Sequence, residues 1–214
     1  RGYIVVILLH FFRLTTTHPF RKRDMMTAEN SITSVQNPKI KRLMLLQQKS
    51  AERRKASLFV VEGLRELLHC VRAGYEIDTL FYCSELMPDN DDAQQLRPLI
   101  ETKRSFQVSK DVYSRVAYRG TTEGIIAEMT TRYTTLDDLK LPENPLICVL
   151  ESVEKPGNLG AVLRSADAAQ ADAVIVCDPL TDLFNPNLIR SSIGAIFTVP
   201  TVACSSAECI SFLK

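Results

Sequence analysis

Two apolar runs separated by a helix-length segment constrain the fold of this chain more than any other feature. Residues 146–150 read LICVL and residues 173–177 read AVIVC, and both runs are continuous rather than alternating in hydropathy. Continuous aliphatic runs are typical of strands that are buried on both faces of a parallel sheet. The apolar positions between the runs recur at helical spacing: Leu159, Val162, Leu163 and Ala166. The pattern predicts a strand–helix–strand crossover, a connection that is almost always right-handed.

The signals that follow extend this unit. Asn185 precedes a proline and fits the N-cap of a second helix, which we expect to end at Gly194. Residues 195–200, AIFTVP, are predicted to form a third strand. Ser205 then fits the N-cap of one more helix. Residues 136–214 are therefore predicted to form a parallel-sheet α/β domain.

The front half of the chain alternates strand-like and helix-like segments. Its strand-like runs are SLFVVEG at 57–63, TLFYC at 79–83, SFQVS at 105–109 and GIIAEM at 124–129. Helical periodicity separates them, as in LRELLHCVRAG, where Gly74 marks the end of a helix. The alternation predicts a small α/β domain over residues 26–135.

The first 25 residues are excluded from this fold. They begin RGYIVVILLHFF, an apolar stretch that is too short to span a bilayer and that no small-residue cleavage site follows. One interpretation is a weak signal peptide, and the other is a leader or non-native segment. We favour the second interpretation for residues 1–25.

Composition and motifs exclude several kinds of site. The six cysteines contain no C-x-x-C pair and the three histidines are scattered, so we expect no metal site, and reduced thiols in a cytoplasmic protein. The chain also lacks the G-x-G-x-x-G fingerprint, the Walker A lysine and a nucleophile elbow. Dinucleotide-dependent, P-loop and serine-hydrolase chemistry are therefore not indicated.

Charge is distributed unevenly, although the formal net charge is only +1. Residues 136–214 carry 5 Lys and Arg against 10 Asp and Glu, a net of −5, which leaves +6 for residues 1–135. Within residues 39–55 the only acid is Glu52, and the basic residues are Lys39, Lys41, Arg42, Lys49, Arg53, Arg54 and Lys55. Such a cluster either binds phosphates without regard to base sequence or is simply a solvated helix face.

A short glycine-containing motif stands where the first strand of the second half meets its helix. Gly157 and Gly160 permit close approach of the backbone, and Asn158 fits the N-cap of the helix. Ligands of open parallel sheets bind at this edge. Arg164 falls off the apolar stripe, where it is either a solvated side chain or a fixed cation that stabilises charge on oxygen. Helical periodicity alone does not choose between these roles.

Longer segments around this motif resemble one protein family. Residues 150–176, LESVEKPGNLGAVLRSADAAQADAVIV, and residues 185–200, NPNLIRSSIGAIFTVP, together resemble the SpoU-type (TrmH-like) RNA ribose methyltransferases. The recurring N-x-G-x-x-x-R-x-A positions of that family fall on Asn158, Gly160, Arg164 and Ala166. Residues 32–63, ITSVQNPKIKRLMLLQQKSAERRKASLFVVEG, are similar to the usual opening of the family's substrate-binding domain.

The resemblance implies transfer of a methyl group from S-adenosylmethionine to a ribose 2′-hydroxyl of ribosomal or transfer RNA, without a metal. It also implies a parallel α/β sheet whose C-terminal segment threads into a trefoil knot, usually in a homodimer. Arg164 and Asn158 occupy the catalytic positions, and Asn158 is expected to orient either that arginine or the substrate. The family's cofactor motifs would follow Lys214, so we expect a C-terminally truncated chain that lacks the knot region and most of the cofactor site.

If the substrate is RNA, the basic run 39–55 is the candidate surface that binds it, with further cations outside the run. The candidates are Lys39, Lys41, Arg42, Arg53, Arg54, Lys55, Arg119 and Arg190. Tyr118 is expected to stack on a base. The alternative function is a non-catalytic RNA-binding module, and a third hypothesis is an unrelated nucleotide-binding α/β protein.

Overall fold

The computed structural model describes residues 30–102, 104–118 and 123–214, so the proposed leader 1–25 and Arg119 lie outside the described residues. Within these ranges the strands of the front half are β1 (Ser31–Ile32), β2 (Leu58–Glu62), β3 (Ile77–Tyr82), β4 (Ser105–Val108) and β5 (Ile125–Thr130). Its helices are α1 (Pro38–Gln48), α2 (Ser50–Ala56), α3 (Leu64–Arg72), α4 (Asp91–Ile100) and α5 (Lys110–Val116).

The strands of the front half form one mixed sheet in the order β1-β4-β3-β5-β2. β4 is parallel to both β1 and β3, while β5 runs antiparallel to β3 and β2. Three helices begin at polar N-caps, because the side chains of Asn37, Asn90 and Ser109 accept hydrogen bonds from the first turns of α1, α4 and α5. The predicted alternation of strands and helices is confirmed.

The second half contains a parallel sheet of three strands, β6 (Ile147–Glu151), β7 (Ala173–Cys177) and β8 (Thr201–Cys204), in that order. β6 pairs with β7, and β7 pairs with β8, in parallel register. The helices are α6 (Pro156–Ala168), α7 (Pro186–Ser191), α8 (Ala195–Thr198) and α9 (Ser206–Leu213). Because α6 connects β6 to β7, the predicted strand–helix–strand unit and its parallel sheet are confirmed.

The predicted third strand is displaced along the chain. Residues 195–198 form α8, and β8 begins only at Thr201. Gly194 has a left-handed backbone, with φ 83°, and precedes α8 instead of ending α7, whose last residue is Ser191. The first three side chains of α8 are buried. A short apolar run can be buried in a helical turn as well as in a strand, so periodicity could not separate the two.

Two expectations about β6 and α6 are also corrected. β6 lies at the edge of the described sheet and Val149 is 44% exposed, so the predicted burial on both faces is wrong for this strand. It is right for β7, whose five residues are all buried. α6 begins at Pro156 with Lys155 as its N-cap residue, so Asn158 lies inside the first turn. Proline is well suited to that first position, where no backbone N–H is needed.

One hydrophobic core connects the two halves. The ring of Phe59 on β2 stacks on Phe184, with centroids 4.5 Å apart, and lies 5.9 Å from Phe197. Tyr75 packs edge-on against Phe197 at 5.4 Å. These rings belong to a buried cluster that contains residues of both sheets. The regions predicted as separate domains, 26–135 and 136–214, therefore share buried apolar surface.

The described residues contain no helix that is both long and apolar enough to cross a membrane. Within the same ranges, no group of three or more His, Cys, Asp or Glu is placed to hold a metal ion. All six cysteines are free thiols.

Candidate active site and RNA interface

Arg164 reaches from α6 to the end of α7. One of its guanidinium nitrogens donates a hydrogen bond to the carbonyl oxygen of Ser191. Ser191 lies beside the start of α6, because its hydroxyl donates to the carbonyl oxygen of Pro156 at 3.2 Å. Helical side chains lean toward the N-terminus of their helix. The exposed guanidinium is therefore held near the start of α6, at the carboxyl edge of β6.

Gly160 allows this close approach of α6 and α7. A Cβ atom built on Gly160 would lie 2.8 Å from the carbonyl carbon of Ser191 and would also overlap its side chain. Backbone atoms cannot move aside as the end of a flexible side chain can, so a larger residue would push α7 away. A Cβ atom on Gly157, by contrast, would meet nothing within 4 Å. Gly160 thus serves helix packing rather than the approach of a ligand.

Asn158 lies on the exposed side of the first turn of α6. Its backbone N–H donates to the carbonyl oxygen of Lys155 at 3.0 Å, and its side chain has no hydrogen-bond partner among the described residues. Six residues of an α-helix place Asn158 about 120° from Arg164 around the axis. The structure therefore does not bring the two predicted catalytic side chains into contact, and an orienting role of Asn158 toward Arg164 is not supported.

The carboxyl edge of the second sheet is acidic. Ser152 follows β6 and Asp178 follows β7, and both have a left-handed backbone, with φ 52° and 45°. The Asp178 carboxylate accepts hydrogen bonds from the hydroxyl of Ser206 at 2.5 Å and from its backbone N–H at 3.1 Å. The same hydroxyl lies 3.4 Å from a carboxylate oxygen of Glu151. These side chains stand where an open parallel sheet binds its ligands.

Arg53, predicted to contact RNA, is buried instead. Its side chain is 5% exposed and forms an ion pair with Asp182, with Nε 2.8 Å from Oδ2. A second guanidinium nitrogen donates to the carbonyl oxygen of Leu46 at 2.7 Å. The pair joins α2 to the segment that precedes α7. Because a buried guanidinium that is paired with Asp182 cannot reach a phosphate, Arg53 belongs to the fold and not to an RNA-facing surface.

Arg42 is likewise engaged within the front half. One guanidinium nitrogen donates to Asp78 at 2.7 Å and to the hydroxyl of Thr79 at 3.0 Å, and it forms a short ion pair with Glu128. Glu128 is fully buried, and this burial raises the pKa of its carboxyl from 4.5 to about 7 despite the neighbouring guanidinium. Its Oε1 atom has no hydrogen-bond partner among the described residues. The side chain is still 42% exposed, so the role of Arg42 as an RNA contact stays a prediction.

Four of the predicted RNA contacts lie on the surface of α1 and α2: Lys39, Lys41, Arg54 and Lys55. Among them, the ammonium group of Lys39 lies 4.5 Å from the ring centroid of Phe106. Arg190 lies apart from this group, on α7, where its guanidinium carbon is 3.5 Å from the ring centroid of Tyr118. The structure thus places two predicted contacts, Arg190 and Tyr118, together where the two halves meet.

Sequence reasoning identified cations without their partners. Asp182 lies 129 residues from Arg53, and Glu128 lies 86 residues from Arg42, so no local pattern marks either pair. Ser191 was not singled out because its role depends on how α6 and α7 cross. A signal existed only for Glu128, since a charged residue in the middle of the apolar run GIIAEM indicates a buried partner.

Comparisons with known proteins cover both halves. The family profile of the MRM3-like substrate binding domain matches residues 37–127, and that of the SpoU rRNA Methylase family matches residues 145–214. A crystal structure of an RNA 2′-O ribose methyltransferase superposes with a TM-score of 0.73 at 36% sequence identity, covering 86% of this chain and 69% of that chain. This chain belongs to the SpoU family of RNA 2′-O-ribose methyltransferases.

Two curated relatives are longer than the segments that they share with this chain. The 23S rRNA (uridine(2479)-2′-O)-methyltransferase of Streptomyces viridochromogenes is 28% identical over 182 residues, which are 84% of this chain and 62% of the relative. The 23S rRNA (guanosine(2553)-2′-O)-methyltransferase RlmP of Bacillus subtilis is 28% identical over 184 residues, 86% of this chain and 68% of the relative. The chain thus spans about two thirds of the length of these methyltransferases.

A solved structure adds the cofactor. The AdoMet-bound rRNA methyltransferase from Sinorhizobium meliloti superposes with a TM-score of 0.73 at 26% identity, covering 86% of this chain and 67% of that chain. Strands β2, β3 and β4 fall within the matched substrate-binding region, and the contact between α6 and α7 falls within the matched methylase region.

Proposed function

We propose that the full-length protein transfers a methyl group from S-adenosylmethionine to a ribose 2′-hydroxyl of ribosomal RNA. The observation that carries this proposal is the hydrogen bond that holds Arg164 against Ser191 at the carboxyl edge of a parallel sheet. This contact fixes the guanidinium between α6 and the end of α7. The names of the SpoU relatives, which act on 23S rRNA, support ribosomal RNA as the substrate class.

Arg164 acts on the substrate through its charge. A guanidinium stays protonated in proteins, so it does not serve as the base that removes the hydroxyl proton. A fixed guanidinium can stabilise the negative charge that develops on the ribose oxygen, or it can clamp a neighbouring phosphate. The bound methyl donor supplies the electrophilic methyl group.

The carboxyl edge partly fits the methyl donor. The carboxylates of Glu151 and Asp178 could accept hydrogen bonds from the ammonium group or the ribose hydroxyls of S-adenosylmethionine. The hydroxyl of Ser206 lies between them, 2.5 Å from an oxygen of Asp178 and 3.4 Å from an oxygen of Glu151. We assign no cofactor-binding residue within the described part of the chain.

The test is methyl transfer from labelled S-adenosylmethionine to total ribosomal RNA by the full-length protein. Arg164→Ala should lower the rate by about 100- to 1,000-fold, as expected when one oxyanion-stabilising group is removed. The matched control is Arg104→Ala, because Arg104 is also exposed and also donates to a backbone carbonyl, that of Ile77 at 3.3 Å. Full activity of Arg164→Ala would refute the assigned role. RNA binding without methyl transfer by the unmodified protein would favour the non-catalytic RNA-binding module.

We also propose that the full-length protein is a homodimer. In support, most of the large apolar side chains exposed on the described residues belong to the second half: Leu146, Val149, Leu180, Ile193, Ile210 and Leu213. Exposed apolar surface of this kind is common at protein–protein interfaces. Sedimentation over a range of concentrations measures the oligomeric state, and a monomer at every concentration would contradict the proposal.

The cytoplasm is the location we propose, and its support is the six free thiols, which suit a reducing compartment. Cell fractionation followed by immunodetection tests this location, and recovery of the protein from an organelle would contradict it.

A further inference from the structure

A cavity of about 260 Å³ lies where the front half meets α7. Apolar side chains from both halves line it, among them Val60 and Val116 from the front half and Ile189 from α7. Its polar lining includes three amides, those of Gln47, Gln48 and Asn187. Ligand pockets of proteins typically start at about 300 Å³ for drug-sized molecules, so this cavity suits a smaller planar group.

An arginine–tyrosine stack forms one side of the cavity. The guanidinium carbon of Arg190 lies 3.5 Å from the ring centroid of Tyr118, and the ring is still 58% exposed. The backbone N–H of Tyr118 donates to both carboxylate oxygens of Glu62 at 3.1 Å, which ties this residue to the end of β2. A flat π-surface is thus presented to solvent from a fixed backbone position.

The amides around the cavity retain hydrogen-bonding capacity. Gln47 donates to the carbonyl oxygen of Val116 at 2.9 Å, which fixes its amide and leaves its side-chain oxygen as an acceptor. The side-chain oxygen of Asn187 accepts from Arg190 at 3.1 Å, which leaves its amide N–H groups as donors. Side-chain amides with both donors and acceptors match the edges of nucleobases. Proteins that read RNA stack unpaired bases on aromatic rings and guanidinium planes in the same way.

We propose that this cavity, bounded by α1, α5 and α7, binds a single unstacked base of the substrate RNA. The base stacks beside Tyr118 and Arg190 and presents its edge to the amides of Gln47, Gln48 and Asn187. Arg190 directly precedes Ser191, whose carbonyl oxygen holds Arg164. α7 therefore connects the cavity to the proposed catalytic arginine. A base bound in the cavity would hold its nucleotide at a fixed distance from the ribose that is methylated. This inference rests on the proposed function for the identity of the RNA substrate, but not for the binding of a base.

The experiment separates base recognition from phosphate attraction. Two fluorescent probes of equal length are titrated into the full chain. One is a short oligouridine, and the other is an abasic oligomer that keeps the sugar–phosphate backbone but has no bases. Tyr118→Ala should weaken oligouridine binding about tenfold, the loss expected when one base–aromatic stack is removed. It should leave the affinity for the abasic oligomer unchanged, and Tyr118→Phe should restore oligouridine binding because it keeps the ring.

Tyr133→Ala is the matched control. Tyr133 is also 58% exposed, but its ring packs against Phe184, 5.3 Å away, outside this cavity. Equal loss of both probes on Tyr118→Ala, no loss of either, or the same base-specific loss on Tyr133→Ala would overturn the proposal. Failure of methyl transfer with base-specific binding intact would instead count against the proposed function alone.

Discussion

At the scale of single residues, two neighbouring arginines have opposite environments. Arg53 and Arg54 are neighbours in sequence, yet Arg53 is buried against Asp182 while Arg54 is exposed. Removing one partner of a buried ion pair leaves an uncompensated charge, which typically costs about 3–5 kcal/mol, whereas surface substitutions usually cost less than about 0.5 kcal/mol. The two neighbours therefore provide a direct comparison between a structural and a solvent-facing arginine.

We expect Arg53→Ala to lower the free energy of unfolding by about 3 kcal/mol and Arg54→Ala to leave it nearly unchanged. RNA affinity should instead be changed by Arg54→Ala and not by Arg53→Ala. Arg54→Ala should weaken binding to RNA of any sequence, and it should lower the slope of log affinity against log salt concentration by about 1, the value of one phosphate contact. Denaturant unfolding and RNA titration at two salt concentrations measure these effects. A stable Arg53→Ala variant with weakened RNA binding would contradict the structural role of Arg53.

Glu128 gives the front half a pH dependence of definite sign. Burial raises the pKa of its carboxyl from 4.5 to about 7. Because this pKa is higher in the folded protein than in the unfolded chain, folding favours the protonated carboxyl. The resulting contribution to the free energy of unfolding is complete below a pH of about 4.5 and is lost as the pH rises to about 7. We expect the free energy of unfolding to fall by up to about 3 kcal/mol over that window.

Glu128→Gln tests this directly, because glutamine keeps the shape of the side chain without its ionisation. Unfolding measured across the window should become less dependent on pH in this variant. Glu76→Gln is the control, since Glu76 is exposed on the same half, and it should retain the slope of the unmodified protein. Equal slopes in all three proteins would rule out Glu128 as the titrating group.

At the scale of elements, the crossing of α6 and α7 determines where Arg164 lies. The two helices meet at Gly160 and Ser191, where the structure leaves no room for a Cβ atom. We expect Gly160→Ala to destabilise the protein by at least about 1 kcal/mol and to lower methyl transfer by the full-length protein, because the carbonyl oxygen of Ser191 moves away from Arg164. Thermal unfolding and the methyl-transfer assay measure the two effects.

Gly157→Ala is the matched substitution in the same helix. Its Cβ atom meets nothing within 4 Å, so replacing a helical glycine should stabilise the protein by about 0.5–1 kcal/mol and leave methyl transfer unchanged. If both variants behaved alike, close packing at Gly160 would not be the reason for its glycine.

Across the whole molecule, the sequence predicted what depends on local pattern. Strand and helix periodicity located most elements, and the polar cap at Asn185 was recognised from its own side chain, which accepts from Asn187. The exposure of β6 and the pairing of Arg53 depend on neighbours far along the chain, so periodicity could not show them. The aromatic contact between Phe59 and Phe184 is of the same kind, because its two rings lie far apart along the chain, in regions predicted as separate domains.

The aromatic contact between the two halves predicts that they unfold cooperatively. Phe59, Tyr75, Phe184 and Phe197 form one buried cluster across the two halves. Two sheets that share a core lose stability together. We therefore expect a single denaturant transition, in which the amides of both sheets lose protection from hydrogen exchange together.

Phe184→Ala should lower the free energy of unfolding by about 3–5 kcal/mol, and it should reduce amide protection in β2 as well as in β7. Phe106→Ala is the control, because this partly buried ring packs within the front half. It should leave the amide protection of β7 unchanged. Two separate transitions, with the amide protection of β2 unaffected by Phe184→Ala, would show that each half is stable on its own.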